Sequence, residues 1–436
     1  MTAGGAHAGG ATGCRTPSWL ARLAFAVGLL APAAVPAAQP ETITVQHIHA
    51  DEAVAVRKFM RENPGTRVEF RQVSFQSLLE SLPVQLASGE GPDISMVADW
   101  GGLSKYYLDI RPYIGAREAA YFERQFGNIL GPMRGGDPHG NEIYGMAGAV
   151  TLNGAFVNVT LFKQAHVELP PPGATWDDWA AAARKVARAT HTEMAMEMDR
   201  SAHRFASLAL SYGAKLVDGQ GHFVVDQGLR TAVEKFVAWH RDGTMPMDLW
   251  GAVGGTTHLD RFSDFMNGNV VFYFGGSWSL FLMDRNVGDA FDWKVVDAPC
   301  GTAGCVLMPG GAAMAAFRHT KHPELCARFL AFLAREDNMR EALARHANIP
   351  AATSLVESGV EYPNDSERVR EALAAFTRQM PNVPRQAYVF QGWRYQRAAL
   401  NSLTTRISQI LTHELDVDTA LAFVKKDVEL AIEASR

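Results

Sequence analysis

The sequence predicts an α/β protein of two lobes, and three observations carry that expectation. Strand-like and helix-like stretches alternate along the opening of the chain, an order that demands parallel crossovers. At 436 residues the chain is long enough for more than one hydrophobic core. Beyond the first forty residues no low-complexity linker interrupts it, so its lobes are expected to be joined by several strand-like crossings that act as a hinge. With 47% hydrophobic and 20% charged residues the composition is globular, which sets aside bulk disorder. Forty-one Lys and Arg against 46 Asp and Glu give a net charge of −5, with no basic run. That balance argues against a nucleic-acid partner.

The elements follow in order. Ile43-Thr-Val-Gln-His47 reads as a β-branched strand and feeds a helix from about Asp51 to Glu62, which Asn63-Pro64-Gly65 stops. Arg67–Arg71 alternates as a second strand, Ser77–Ser88 reads as a helix, and Asp93–Ala98 as a third strand. After a Gly-rich turn between Gly131 and Gly140, Ile143–Met146 and Gly154–Val159 read as strands. Thr175-x-x-Asp178 has the form of a capping box opening an Ala-rich helix. Met194–Met198 is a further strand, followed by helices near 202–211, 229–242 and 261–267. Val270–Phe274 is a buried strand ending in Gly275-Gly276, Ala312–Phe317 another, and the chain beyond about Asp365 is mostly helical.

The first forty residues are a different material. Arg15 and Arg22 are their only charges, and the apolar run Leu23–Leu30 is followed by prolines and small residues ending in Val35-Pro36-Ala37. Positive start, short apolar core and small-residue exit describe an export signal. The run is too short for a comfortable membrane span, and no later stretch reaches 18 apolar residues. Loss of a leader holding two arginines and no acid takes the charge from −5 to −7. The mature chain is expected in the periplasm. There Cys300 and Cys305, separated by Gly-Thr-Ala-Gly, suit a small-loop disulfide, whereas Cys326 falls in an amphipathic helix as a core residue.

Short catalytic motifs are absent. Gly275-Gly-Ser277-Trp-Ser279 fails the nucleophile-elbow pattern, because Ser279 stands where the second glycine belongs. Neither a phosphate-cradling loop nor a dinucleotide fingerprint occurs. No cofactor and no metal site are expected; His47-Ile-His49 puts two rings on one strand face but locates no third ligand. What remains is placement. In open α/β sheets ligands sit beyond the carboxyl ends of the strands. There the chain offers His47 and His49, then Asp99-Trp100-Gly101-Gly102, then Gly275-Gly276-Ser277-Trp278. Aromatic faces beside fixed donors and acceptors suit a sugar. Tyr144, Trp250 and Trp393 are further aromatic candidates; Trp176 and Trp179, on the capped helix, read as packing residues.

Taken in order, Gly91-Pro-Asp-Ile94, Ile143-Tyr-Gly145, Thr175-Trp-Asp-Asp178, Phe265-Met-Asn-Gly268, Gly276-Ser-Trp278, Gly310-Gly311 and Asn348-Ile-Pro350 give the chain its family likeness. It resembles the extracellular solute-binding proteins of ABC importers, in the group of carbohydrate receptors that contains maltose-binding protein. The resemblance implies a type II periplasmic-binding fold, with two α/β lobes around a ligand cleft and hinge crossovers. It places residues 39–150 plus 308–353 in the N-terminal lobe and 151–307 plus 354–436 in the C-terminal lobe, after a signal peptide over residues 1–38. It implies a monomer that binds a carbohydrate, passes it to a permease and catalyses nothing. The stacking role falls on Trp278 and, by position, on Trp100. Two alternatives stay open: a sugar-phosphate or glycerol-phosphate receptor, which needs a buried Arg such as Arg204 or Arg394 facing the cleft, and a secreted enzyme using the same cleft. The leader reading has a direct check. N-terminal sequencing of protein recovered from the host's periplasm should begin at Ala38 or Gln39; an intact Met1 terminus would contradict it.

Overall fold

The computed structural model describes residues 40–135, 139–252, 256–363 and 366–435; the expected leader lies outside the described residues. Two sheets organise the chain. In the first, Glu41–His47 pairs in parallel with Thr66–Gln72 on one side and with Ile94–Val97 on the other, Val45 standing opposite both Phe70 and Ile94. β-Branched Ile43, Thr44 and Val45 suit the pleat, and Ile43 and Val45 turn into the core. The intervening helices Ala53–Glu62 and Phe75–Ser88 end as the sequence directs. Gly65 takes a positive φ of 88° after the first, and Gly89 closes the second in the left-handed region at φ 74°. Asp93 fastens the third strand, its Oδ2 accepting from Thr44 N at 2.7 Å and Thr44 Oγ1 at 2.9 Å. Ala313–Ala316 returns antiparallel to Ile94–Val97, and Gly145–Met146 lies on the far edge.

The second sheet runs Trp293–Val296, Ala149–Asn158, Val270–Gly276, Met194–Met198. Its long strand, Ala149–Asn158, does two jobs. The later half pairs with Trp293–Val296 and Val270–Gly276. The earlier half pairs antiparallel with Ile349–Pro350 and Pro309–Gly310, so the chain crosses between lobes on adjoining extended segments. These crossings are the hinge. The sequence places this strand five residues too late because Ala149–Asn153 alternates weakly, yet its backbone groups are claimed by the two returning segments. Ile143 is also not strand: its N–H donates to Asp109 Oδ1 at 2.9 Å and its carbonyl accepts from Ile110 N at 2.8 Å, which leaves only Gly145–Met146 in the ladder.

Arg111–Met133 forms helix that the sequence hides behind Pro112, Gly115, Gly127, Gly131 and Pro132; Gly115, at φ 73°, breaks it near its start. Thr175 and Asp178 make the reciprocal capping box. Trp176 and Trp179 are core residues, as read. Cys300 and Cys305 are disulfide-bonded across a two-residue ladder, and buried Cys326 has its thiol pushed up to about 12 by burial. Among the described residues no helix is long and apolar enough to cross a membrane.

Gly154 marks how tightly the second sheet is covered. A Cβ there would come within 2.3 Å of Phe376 Cε1, and Phe376 is fully buried beside Phe156. The ring has nowhere to go. Gly154→Ala should therefore destabilise the protein by about 1–3 kcal/mol, the usual result of overpacking, in equilibrium denaturation; unchanged stability would show that Phe376 is free to move.

Candidate functional site

A cavity of about 370 Å³ lies between the strand ends of the two sheets, in the size range of small-ligand sites. From the first lobe it receives His47 and His49 beyond Glu41–His47, Asp99 beyond Ile94–Val97, and Phe75. From the second it receives Trp278 and Phe281 beyond Val270–Gly276, His203 and Arg204 at the start of a helix, and His258 and Asp260. Gln391, Gln396 and Arg397 come from the C-terminal helices. The lobes also touch around it, through Phe75 against His258 at 5.0 Å between ring centres and Phe281 against His49 at 6.2 Å.

Trp278 is the half-buried indole of this cavity. A Cβ on Gly276 would fall 1.8 Å from its Cζ3, so the ring rests where only glycine leaves room. The Arg204 guanidinium stands 4.1 Å from the ring centre, a cation–π distance. Arg204 is itself fixed: Nε donates to Asp199 Oδ2 at 3.1 Å and Nη2 to Asp260 Oδ1 at 2.7 Å. Asp199 Oδ1 accepts from Tyr273 Oη at 2.7 Å and Arg261 N at 2.8 Å. His258 Nε2 lies 3.4 Å from Asp260 Oδ2. Buried charges persist when paired and hydrogen-bonded, and this network meets that condition. Its guanidinium is held between two carboxyls. Asp99 Oδ1 accepts from Gly102 N at 3.0 Å, and burial pushes its carboxyl up to about 6 against the pull of Gly102 and Arg397. Arg397 donates to Thr257 Oγ1 at 3.2 Å. His203 Nε2 contacts Gln391 Oε1 at 3.0 Å, and Gln396 Nε2 donates to the same oxygen at 2.9 Å. Burial holds His203 down at about 3.

Of the residues expected at the site, Trp278, Asp99, His47 and His49 line the cavity. The others sit elsewhere. His49 lies past the end of its strand, so the two histidines do not share a strand face, although their rings remain 5.4 Å apart. Trp100 belongs to the first lobe's core, since the turn after Ile94–Val97 folds inward. Tyr144 packs on Tyr107 in the same core. Trp250 is buried with Nε1 donating to Met198 O at 2.9 Å. Trp393 donates to Gly221 O at 3.0 Å and stacks near Phe223. Ser277 Oγ accepts from Leu152 N at 3.2 Å, bracing the crossing strand, and Gly276 serves as the floor beneath Trp278. Arg394 is exposed and does not line the cavity, whereas Arg204 does. Phe75, Phe281, His258, Asp260, Gln391, Gln396 and Arg397 escaped the sequence reading. Only Phe281, one helical turn past Trp278, carried a usable signal.

Two α/β lobes hinged around a cavity at their strand ends define a ligand-binding class of protein. The chain belongs to the bacterial extracellular solute-binding protein family, whose model matches residues 46–340. It is 23% identical over 299 residues to an arabinooligosaccharide-binding protein of Bacillus subtilis, the match covering 64% of each chain. It is 22% identical over 408 residues to a maltodextrin-binding protein of the same organism, covering 86% of this chain and 89% of that one. Among solved structures it resembles an ABC substrate-binding protein of Listeria monocytogenes in complex with cycloalternan. There the TM-score is 0.74 at 16% identity, over 90% of this chain and 99% of the other. A maltose-bound protein of T. maritima gives a TM-score of 0.70 at 16% identity, over 89% and 99%. The fold is that of the type II periplasmic binding proteins.

Behind the network lies Glu197, fully buried, its carboxyl pushed up to about 9 by burial first and then by Asp264 and Asp199. A carboxyl raised in the folded state contributes stability that is fully present below its ordinary pKa and is lost as pH rises through the folded value. Glu197→Gln removes that loss. The variant's stability relative to wild type should grow on the order of 1 kcal/mol per pH unit between pH 5 and pH 8, read by urea denaturation at each pH. A pH-independent difference would contradict an uncharged Glu197.

Proposed function

We propose that the protein captures a carbohydrate in its interlobe cleft and delivers it to the permease of an ABC importer, working in the periplasm as a monomer and binding rather than transforming its ligand. The observation that carries this reading is the half-buried Trp278 with Arg204 locked against it. An aromatic face suits the C–H face of a sugar ring, while Asp99, Arg397, Gln391 and Gln396 supply acceptors and donors for hydroxyls. The relatives support it, being named for arabinooligosaccharide and maltodextrin binding. In this reading residues 39–150 plus 308–353 close against 151–307 plus 354–436, and the ligand selects the closed state because it touches both lobes.

One observation favours a second reading. Arg397 lines the cavity and makes no ion pair within 4.0 Å among the described residues, so a sugar phosphate has a cation to meet. Against it, Arg204 is already paired with Asp199 and Asp260, and Asp99 and Glu52 add acidic groups to the cavity lining.

The test is a thermal-shift screen of neutral oligosaccharides, sugar phosphates and polyols, followed by calorimetry, because a ligand that binds only the native state raises the melting temperature. A neutral oligosaccharide should give the largest shift, and a sugar phosphate outranking every neutral sugar would install the second reading. Trp278→Ala should weaken binding of the best ligand by about thirtyfold, the scale of a buried aromatic anchor. Unchanged affinity in a folded variant would remove the stacking role.

A further inference from the structure

The cavity does not end at the strand termini. On the first lobe's side its wall continues inward along Val56, Phe70, Phe329, Leu333, Met339 and Leu343. These come from the helices Ala53–Glu62, Pro323–Leu333 and Glu336–His346 and the strand Thr66–Gln72. Val56, Phe329, Met339 and Leu343 are core residues, yet each also faces the cavity. Native interiors hold few voids larger than a water, and a wall facing open space forgoes dispersion contacts. The amide on this wall is already engaged: Asn338 Nδ2 donates to Phe332 O at 2.6 Å, and its Oδ1 accepts from Lys58 Nζ at 2.6 Å. Along Val56, Phe70, Phe329, Leu333, Met339 and Leu343 the wall is apolar, which offers little to a hydroxyl and a good deal to a hydrocarbon.

The passage from cleft to annex has matching chemistry. His49 and His346 stack there at 4.3 Å, with Phe281 of the other lobe edge-on at 6.2 and 5.6 Å. Burial lowers both imidazoles and raises the neighbouring Glu52 carboxyl, so each leans toward its uncharged form. Asp51 stands 3.1 Å from His346 Nε2, and Arg345 lies between Asp51 and Glu52 at 3.5 and 3.7 Å. Arg345 also meets Glu341 at 3.1 Å, so these acids are drawn to Arg345, while His49, His346 and Phe281 present their rings to the cavity.

We infer that the annex is a subsite for an apolar substituent, alkyl, acyl or aryl, carried by the sugar that the cleft binds. This rests on the carbohydrate reading above and extends it: the ligand class is a glycoside with a hydrophobic tail rather than a bare oligosaccharide. The sugar ring lies by Trp278 and the tail enters past the His49–His346 pair.

Calorimetry on the full mature chain, with maltose, n-hexyl maltoside and 1-hexanol below any micelle concentration, tests this. Each buried methylene contributes about fourfold in Kd, so hexyl maltoside should bind at least about tenfold more tightly than maltose. Ala342→Phe, which fills the annex from the helix Glu336–His346, should abolish that gain and leave maltose within about twofold. Should that variant fold poorly, methyl-labelled methionine in the wild type gives a second readout. The Met339 resonance, assigned with Met339→Leu, should shift with hexyl maltoside and not with maltose. Equal affinity for maltose and hexyl maltoside overturns the annex and leaves the carbohydrate reading standing. Binding of 1-hexanol with no response to either sugar overturns both, as does the absence of any binding. A hexyl gain that survives Ala342→Phe without a Met339 shift places the tail elsewhere and overturns the subsite.

Discussion

The strand Ala149–Asn158 is the constraint from which the architecture follows. Every backbone N–H and C=O removed from water needs a partner, and this strand divides its partners between two sets of neighbours. Its first residues are claimed by Pro309–Gly310 and Ile349–Pro350, its last by Trp293–Val296 and Val270–Gly276. The chain must pass between lobes on extended segments that adjoin one another, and the strand ends of both sheets are brought to the same gap. The cavity is the space those ends enclose. Ser277 joins the two requirements, since its hydroxyl accepts from the crossing strand at Leu152 while its neighbour Trp278 lines the cavity.

Within the cavity the electrostatics are arranged to hold side chains still rather than to hold charge ready. Arg204 is shared by Asp199 and Asp260, Asp199 is steadied by Tyr273 and the Arg261 amide, and Asp260 lies beside His258. Burial raises Asp199, while His258 and Arg204 offset burial at Asp260 and hold it low. Such a network costs desolvation and returns rigidity. Here it fixes Arg204 against Trp278, so little ordering of these side chains is left to be done when a ligand binds. Asp99 and Arg397, one from each lobe, lie outside this network, and among the described residues each makes a single side-chain hydrogen bond, to Gly102 N and Thr257 Oγ1.

Much of the fold was legible because it is written locally. The β-branched run at Ile43–Val45, the Asn63-Pro64-Gly65 stop and the Thr175 capping box each act within a few residues, and each reappears in the structure. The site was legible only where it follows directly from a strand, at His47, Asp99 and Trp278. Trp100 and Tyr144 show the limit: one stands next to cavity-lining Asp99 and the other two residues before Met146, yet both turn into the core because the direction of a loop side chain depends on tertiary packing. Trp250 and Trp393 fail for the same reason, their indole N–H groups finding backbone carbonyls at Met198 and Gly221. Arg397, Phe75 and His258 lie far apart in sequence, and no local pattern announces that two helices and a loop meet at one gap. The helix Arg111–Met133 was hidden by glycines and prolines that tertiary contacts override.

The central claim is that a neutral carbohydrate is held between lobes that close on it. Small-angle X-ray scattering of the mature chain, without ligand and with a saturating, calorimetrically verified oligosaccharide, tests it most directly. The radius of gyration should fall on binding, as lobes that stand apart without ligand come to the arrangement seen in the structure, with Phe75 on His258 and Phe281 on His49. Saturation with an unchanged radius would contradict it.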